Sequence, residues 1–319
     1  MIKALWHDDK NTSSLKEVIL QHKASDKLHI QSLYSFVSIG TERTIASGMI
    51  PPGIGKEMDV PYMEGRLQLP VKYGYSLVGK VMTKNHPLSG QVVHLLHPHQ
   101  SECLVEEEDV FPIPQGIPPQ RATLASNMET AVNALWDAGL TIGDRILIVG
   151  YGLIGALIAQ LSAQFPGVSV HVVEQDKARK NRAKKMGFYQ VDDSMPASYD
   201  VAFNTSGHES GLQQCIDAVG LEGKVIEMSW YGNKPVRLQL GHDFHWKRKK
   251  IISSQVSVIP SSYQHRWDYK RRKELVFDLL KSPTFDAFIT KVIPFEESPA
   301  FFNDLRVQRI EDLGVVLGY

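Results

Sequence analysis

The run Arg145-Ile-Leu-Ile-Val-Gly150-Tyr-Gly152-Leu-Ile-Gly155 sends an apolar strand straight into glycines spaced G-x-G-x-x-G. Few local patterns restrict a fold so tightly, because each glycine has its own steric task. Gly150 permits the tight turn out of the strand. Gly152 leaves room for a ligand to approach the backbone, and Gly155 lets the next helix pack closely on the sheet. That helix, opening at Leu153 and Ile154, presents free N–H groups and the positive end of its dipole. A second apolar stretch, Val168–Val173, ends on Glu174, nineteen residues past Gly155. An acid there is placed to accept hydrogen bonds from ribose hydroxyls. Strand, glycines, amphipathic helix, second strand and terminal acid together predict a dinucleotide-binding βαβ unit.

The rest of the chain repeats that alternation only from about Ala125 onward. A helix over Asn127–Ala138 is followed by strands at 145–149, 168–174, 199–204 and 223–229, with helices at 153–165, 177–186 and 208–219 between them. This pattern predicts a doubly wound parallel sheet. Residues 1 to about 122 instead show short apolar runs, Lys27–Ser38, Leu77–Met82, Val92–Leu96 and Cys103–Val105, separated by Gly/Pro-rich turns such as Ile50–Gly55. Past Pro260 a helix at Arg271–Leu280 and short strands around Ile289–Ile293 and Gly314–Leu317 complete the chain. Three segments are expected: a β-rich domain at 1–124, a nucleotide domain at 125–258, and a C-terminal return at 259–319.

Composition narrows the function classes. With 319 residues there is length for about two domains, and 43% hydrophobic residues indicate an ordinary globular core. Lys+Arg and Asp+Glu both number 35, so no net charge favours nucleic acid or an anionic membrane surface. No apolar run reaches transmembrane length, and the N-terminus lacks a signal peptide's core. Cys103 and Cys215 offer neither a disulfide framework nor a zinc lobe. A cytoplasmic address is expected.

Motifs outside the glycine loop carry a family resemblance. Ser38-Ile-Gly-Thr41-Glu42 resembles the I-C-G-T-D segment of the medium-chain dehydrogenase/reductase superfamily, the zinc-type alcohol dehydrogenase-like proteins. Pro70-Val-Lys-Tyr-Gly74-Tyr75-Ser76-Leu-Val-Gly79-Lys-Val81 resembles its P-x-x-x-G-H-E-x-x-G-x-V stretch, and Leu140–Arg145 its lead-in to the first Rossmann strand. Within the superfamily, the G-T-E form, Ser253–Val256 and Phe288–Thr290 resemble the bacteriochlorophyllide a dehydrogenase-like branch. The resemblance implies an α/β fold of a Rossmann doubly wound parallel sheet plus a β-rich GroES-like catalytic domain. It further implies an alcohol–carbonyl oxidoreductase using a nicotinamide dinucleotide on a small-molecule substrate, and a homodimer joined through strands 223–229 and 251–258.

The departures from that family matter more than the matches. Its catalytic zinc is held by a Cys, the His of G-H-E and a later Cys or acid. Here those positions carry Ile39 or Gly40, Tyr75, and Ala125 or Ser126, which cannot assemble a four-coordinate N/S site. A zinc-free enzyme is therefore expected. His94, His97, His99 and Glu102 form the one group that could restore a metal, although Pro98 interrupts any strand between His97 and His99. Turn histidines or substrate hydrogen bonding are the other readings.

Without zinc the alcohol proton needs another route. The resemblance gives Thr41 the part of relaying it. Tyr75, at a former ligand position, either donates to a carbonyl, accepts from an alcohol, or fills vacated space. Glu42 and Arg43 read as substrate contacts or as a bracing ion pair. Topology places further cofactor contacts at strand ends: Asn204–Gly207, with Ser206, and Met228–Gly232, with Trp230 and Tyr231 as nicotinamide walls or core aromatics. Asn127 and Glu129 open the helix before the first Rossmann strand. Glu174 favours NAD(H) over NADP(H), a preference softened by Lys177 and Arg179. Lys247–Lys250 and Lys270–Lys273 read as solvated faces. Two rival classes remain: a zinc-independent enone or quinone reductase, and a nucleotide-binding sensor without chemistry. Loops 43–66 and 260–270 would shape the substrate pocket.

Overall fold

The computed structural model describes residues 1–20, 27–54, 56–190, 198–307 and 310–319. Gly55, the end of the loop read at Ile50–Gly55, lies outside them. Two compact units emerge: Met1–Ser126 together with Lys273–Tyr319, and Asn127–Arg272.

The second unit follows from the alternation in its sequence. Its six strands are all parallel and lie side by side as Tyr189–Gln190, Ser169–Val173, Arg145–Val149, Tyr199–Asn204, Val219–Glu227 and Lys250–Ser253. Strand Arg145–Val149 lies at the switch point, with chain wound outward to either side, and its carboxyl end is where ligands enter such sheets. Past the exposed Arg145 the strand is apolar and buried, as a strand covered on both faces must be. Leu147, Val149, Ala202 and Val225 pack with Leu212, Cys215 and Ile216 of helix Glu209–Ala218 into one core cluster. The fifth strand starts at Val219, earlier than the predicted 223, and the apolar segment expected as strand through 258 is strand only over Lys250–Ser253.

The first unit is a sheet of seven strands organised around Leu28–Val37. Along one side that strand pairs antiparallel with Leu77–Val81. Along the other it pairs with Glu102–Val105 and then with Val315–Gly318. Ten residues long, it can serve two neighbours end to end, and its pairing with Leu77–Val81 carries a register irregularity between Ser32 and Tyr34. Alternation buries Leu28 and Ile30 with Leu77, Val93, Leu95, Cys103 and Val105. A smaller sheet joins Ser13–Glu17, Lys3–His7 and Val71–Lys72. Helix Ser298–Val307 covers a second cluster through Phe301, Phe302 and Leu305, with Leu5, Val37, Val315 and Leu317.

Three sequence expectations change here. Ser38–Glu42, read only as a motif, opens an eight-residue helix, Ile39–Ala46. The second crossing between units falls inside helix Tyr269–Leu280, between Arg272 and Lys273, rather than at 258/259. The cause is Arg272, whose guanidinium donates to the Asn133 side chain at 3.0 Å and to the Val256 carbonyl at 2.8 Å. The basic runs are solvated only in part: Arg248, Lys250, Lys270 and Arg271 are exposed, but their neighbours turn inward. Lys249, Arg272 and Lys273 are buried, and Lys249 Nζ donates to the Ile216 carbonyl at 2.6 Å and to Asp243 at 2.9 Å. Charge counting cannot reveal carbonyls that a fold aims at an ammonium group.

Candidate functional site

In the nucleotide unit the three glycines answer to different neighbours. A Cβ at Gly155 would lie 2.1 Å from the Gly150 carbonyl oxygen, and one at Gly150, whose φ is +97°, would lie 2.9 Å from the backbone of Thr205 and Ser206. Both are dictated by the protein's own packing. Gly152 is not: the nearest group to its Cβ position is Arg179 Nη1, 3.9 Å away. Gly152 is also the N-cap of helix Leu153–Ser162, and no side chain caps that helix. A glycine with open space above it, beside uncapped N–H donors, fits a dinucleotide pyrophosphate.

Glu174 is buried at 8% exposure and accepts the N–H groups of Tyr151 and Asp176, both at 2.8 Å. The carboxylate is thereby fixed against the glycine loop. Asp176 caps the next helix by accepting the Arg179 N–H at 2.9 Å, which orients that helix's first turn. Lys177 is exposed. On the neighbouring strand end, Thr205 Oγ1 donates to the Gly150 carbonyl at 2.6 Å, locking the two loops, while Ser206 is exposed. Tyr231 donates to Glu227 at 3.0 Å and accepts from Asn204 at 2.9 Å, so its hydroxyl braces the strand ends. Burial and the Glu227 charge hold that phenol above its ordinary pKa. Trp230 beside it is half-buried. Glu129 accepts from Arg272 Nε at 3.3 Å, and Asn127 is buried with its Oδ1 unbonded among the described residues.

In the β-rich unit the histidines expected as one group separate, each to its own partners. His94 is fully buried, with Nε2 3.0 Å from Ser76 Oγ and 3.3 Å from Ser126 Oγ, and burial drives its pKa well down. His97 stacks on Tyr62 at 5.2 Å, and its Nδ1 donates to the Pro98 carbonyl at 2.9 Å. It lines a cavity of about 560 Å³ with Tyr62, Glu64, Lys72 and Gln100. Burial lowers its pKa to about 3, so it is neutral near pH 7. His99 bonds Glu42 through Nε2 at 2.8 Å and Ser35 through Nδ1 at 2.7 Å. Glu102 bonds His29 at 2.7 Å. Among the described residues, no three His, Cys, Asp or Glu side chains are grouped to hold a metal.

The first turn of helix Ile39–Ala46 carries Thr41, half-buried, and Glu42, fully buried. Glu42 also accepts the Ser38 N–H at 2.7 Å, a reach-back that closes the helix start. The ion pair expected between Glu42 and Arg43 is absent: Glu42 turns inward to His99, and Arg43 approaches the Arg306 carbonyl at 3.5 Å. Tyr75 is half-buried and meets Tyr73 edge-on at 6.1 Å. Burial, with the Glu42 carboxylate nearby, raises the Tyr73 phenol well above its ordinary pKa. Thus Glu42, Tyr73 and Tyr75 share one neighbourhood, and His97 belongs to the cavity instead. Sequence reading passed over Ser35, Tyr73 and Tyr319; nothing in their local pattern signals a buried polar chain.

Comparison with known proteins agrees with this architecture. No protein-family profile matches the chain. The solved structure of an S. meliloti protein described as a zinc-binding dehydrogenase, bound to NADP, superposes with a TM-score of 0.78 at 16% identity, over 100% of this chain and 99% of that one. An alcohol dehydrogenase of E. coli complexed with NADH gives 0.77 at 15% identity, over 100% and 99%. These likenesses define the fold as a Rossmann domain with a β-rich GroES-like domain. Among curated proteins, D-guloside 3-dehydrogenase of Shigella flexneri is 25% identical over 203 residues. That alignment takes in 59% of this chain, and the chain spans 58% of the relative's length.

Proposed function

We propose that the protein is a medium-chain dehydrogenase/reductase that interconverts an alcohol and a carbonyl with NAD(H), and does so without catalytic zinc. The observation that carries this reading is Gly152, a glycine that the protein's own packing does not require, at the uncapped start of a helix. The relatives act on polyol- and sugar-like alcohols by name, which supports a hydroxylated small-molecule substrate.

The bound nicotinamide would supply hydride transfer. The chain's residues do the remaining work. N–H groups of Leu153 and Ile154 hold the pyrophosphate, and Arg179 stands beside Gly152 to meet its charge. The buried Glu174 carboxylate accepts from the adenosine ribose and would repel a 2′-phosphate, which is the basis for preferring NAD. Ser206 and Trp230, at the strand ends, contact the ribose and nicotinamide. The Tyr75 phenol donates a hydrogen bond to the substrate oxygen as negative charge develops there, and Thr41 passes the proton onward. Glu42 holds Thr41's turn in place. Neutral His97 keeps its one N–H on the Pro98 carbonyl and stays outside this path. The donor set does not fit zinc, since Tyr75 and Ser126 replace imidazole and thiolate and the histidines are separately engaged. Strand Lys250–Ser253 is the outer strand of its sheet, with Ile251 at 36% exposure. It is the edge we assign to a homodimer. Two buried free cysteines suit a cytoplasmic protein.

The test is fluorescence titration with NADH and NADPH, followed by NAD reduction with butane-2,3-diol, sorbitol and methyl glycosides. Micromolar NADH binding with turnover of at least one alcohol is expected. Absence of nucleotide binding overturns the reading. Stoichiometric zinc, with activity lost to chelator and restored by zinc, overturns its metal-free part.

A further inference from the structure

We infer that His99 is a positioning residue that sets both chain segments bearing the candidate reacting hydroxyls, that of Thr41 through its Nε2 bond to Glu42 and that of Tyr75 through its packing against Gly74. The inference rests on the proposed roles of those two side chains. His99 and Glu42 are both wholly buried, and their 2.8 Å bond is shielded from water on every side. The residue it holds, Glu42, follows Thr41 directly and closes the same helical turn by accepting the Ser38 N–H. Fixing the carboxylate therefore fixes the turn that aims Thr41.

The second segment is gripped by contact. The backbone N–H of His99 donates to the Tyr73 carbonyl at 3.3 Å. The ring lies where Gly74 lacks a side chain: a Cβ there would sit 2.9 Å from His99 N, 3.0 Å from Cδ2 and 3.1 Å from Nε2. Gly74 has φ +133°, so glycine is required twice over, for conformation and for space. Gly74 immediately precedes Tyr75. One imidazole thus presses on the residue before Tyr75 and bonds the residue after Thr41.

The opposite ring nitrogen faces away from both. Nδ1 meets Ser35 Oγ at 2.7 Å, and Ser35 Oγ lies 2.8 Å from the Tyr319 hydroxyl, in the interior of the sheet. The two nitrogens can therefore be separated by substitution. In His99→Gln the side-chain amide reaches toward the Nε2 position and can still donate to Glu42. In His99→Asn it reaches only toward the Nδ1 position, and the bond to Glu42 is lost.

The experiment compares these two variants as NADH-bound full-length protein. It reads the Thr41 methyl signal and the ¹³Cζ signal of Tyr75 by NMR, together with turnover of the best alcohol of the panel above. We expect His99→Gln to keep both signals and to stay within about threefold of the parent in kcat. His99→Asn should displace both signals and lower kcat by about a hundredfold, the usual cost of an ångström-scale misplacement, with NAD affinity unchanged. Equal behaviour of the two variants in both readouts overturns the inference, because a ring that merely filled space would not distinguish them. If neither folds, Glu42→Gln and Ser35→Ala pose the same question from the partners' side; loss in the first alone supports the inference, and equal loss overturns it. Should Thr41→Val and Tyr75→Phe leave turnover intact, the proposed chemistry fails, while the two NMR signals still decide what His99 sets in place.

Discussion

The two units differ in what specifies their sites. In the nucleotide unit the site is a backbone device: a turn, three missing side chains and the start of a helix, all within eleven consecutive residues. In the β-rich unit the proposed site is a side-chain device, in which Ser35, Glu42, Gly74, His99 and Tyr319 come from five separate stretches. A backbone device is written in local sequence. A side-chain device exists only after the sheet has formed, and each part of it carries a burial cost that partners must offset.

Acid should separate the two units by the largest margin. His7 and His97 of the β-rich unit are both held down to about 3 by burial. The unfolded chain takes up those protons near pH 6.5, so stability is complete above that value and is lost as pH falls toward 3. Each histidine contributes about 1.4 kcal/mol per pH unit, or about 4 kcal/mol for the pair by pH 5. Urea unfolding at pH 7 and pH 5 measures this, and His97→Gln should remove roughly half of the difference. An unchanged midpoint at pH 5 would show that these groups do not titrate on unfolding.

Glu42→Ala should rank next. It strands the Ser38 N–H and the His99 ring nitrogen, at about 1–3 kcal/mol for each orphaned group. A loss of about 3 kcal/mol in chemical denaturation is expected, without weaker NADH binding. Tyr75→Phe and Thr41→Val invert that pattern. Turnover should fall by about a hundredfold, equivalent to about 2.7 kcal/mol, with stability nearly unmoved.

The glycine loop offers a sharper pair. Gly155→Ala pushes a methyl group into the Gly150 carbonyl and should destabilise by about 1–3 kcal/mol. Gly152→Ala meets open space, so it should cost less than about 1 kcal/mol yet weaken NADH by more than tenfold. Equal effects of the two on stability would mean that Gly152 is structural after all. The smallest effect is assigned to Glu174→Ser, which should narrow the preference for NADH over NADPH by about tenfold, or 1.4 kcal/mol, in calorimetric titration.

How much was legible follows the same division. Strands Arg145–Val149 and Tyr199–Asn204 match their predicted bounds, because each centres on a short apolar run, 146–149 and 201–203, that leaves a parallel strand few alternatives. The start of helix Leu153–Ser162 was fixed by Gly152, while its end, predicted at 165, came early for want of a local stop signal. The histidines of Val93–Cys103 misled for a physical reason. Sequence proximity suggested convergence, but Pro98 turns the chain and sends His94, His97 and His99 to three sets of neighbours. Lys249 and Arg272 misled likewise, since their partners, backbone carbonyls together with the side chains of Asp243 and Asn133, are gathered only by the fold.

The return of the chain to its first unit has a consequence for biosynthesis. The nucleotide unit is complete once Arg272 has been made. Residues 1–126 must wait for Lys273–Tyr319, which bring strand Val315–Gly318 to the edge of Tyr34–Val37 and Asp286 to Arg121. Until then that strand edge stays unpaired on the growing polypeptide. A ribosome stalled between those two points would hold one mature domain and one adhesive, half-built one, the kind of nascent species that chaperones bind.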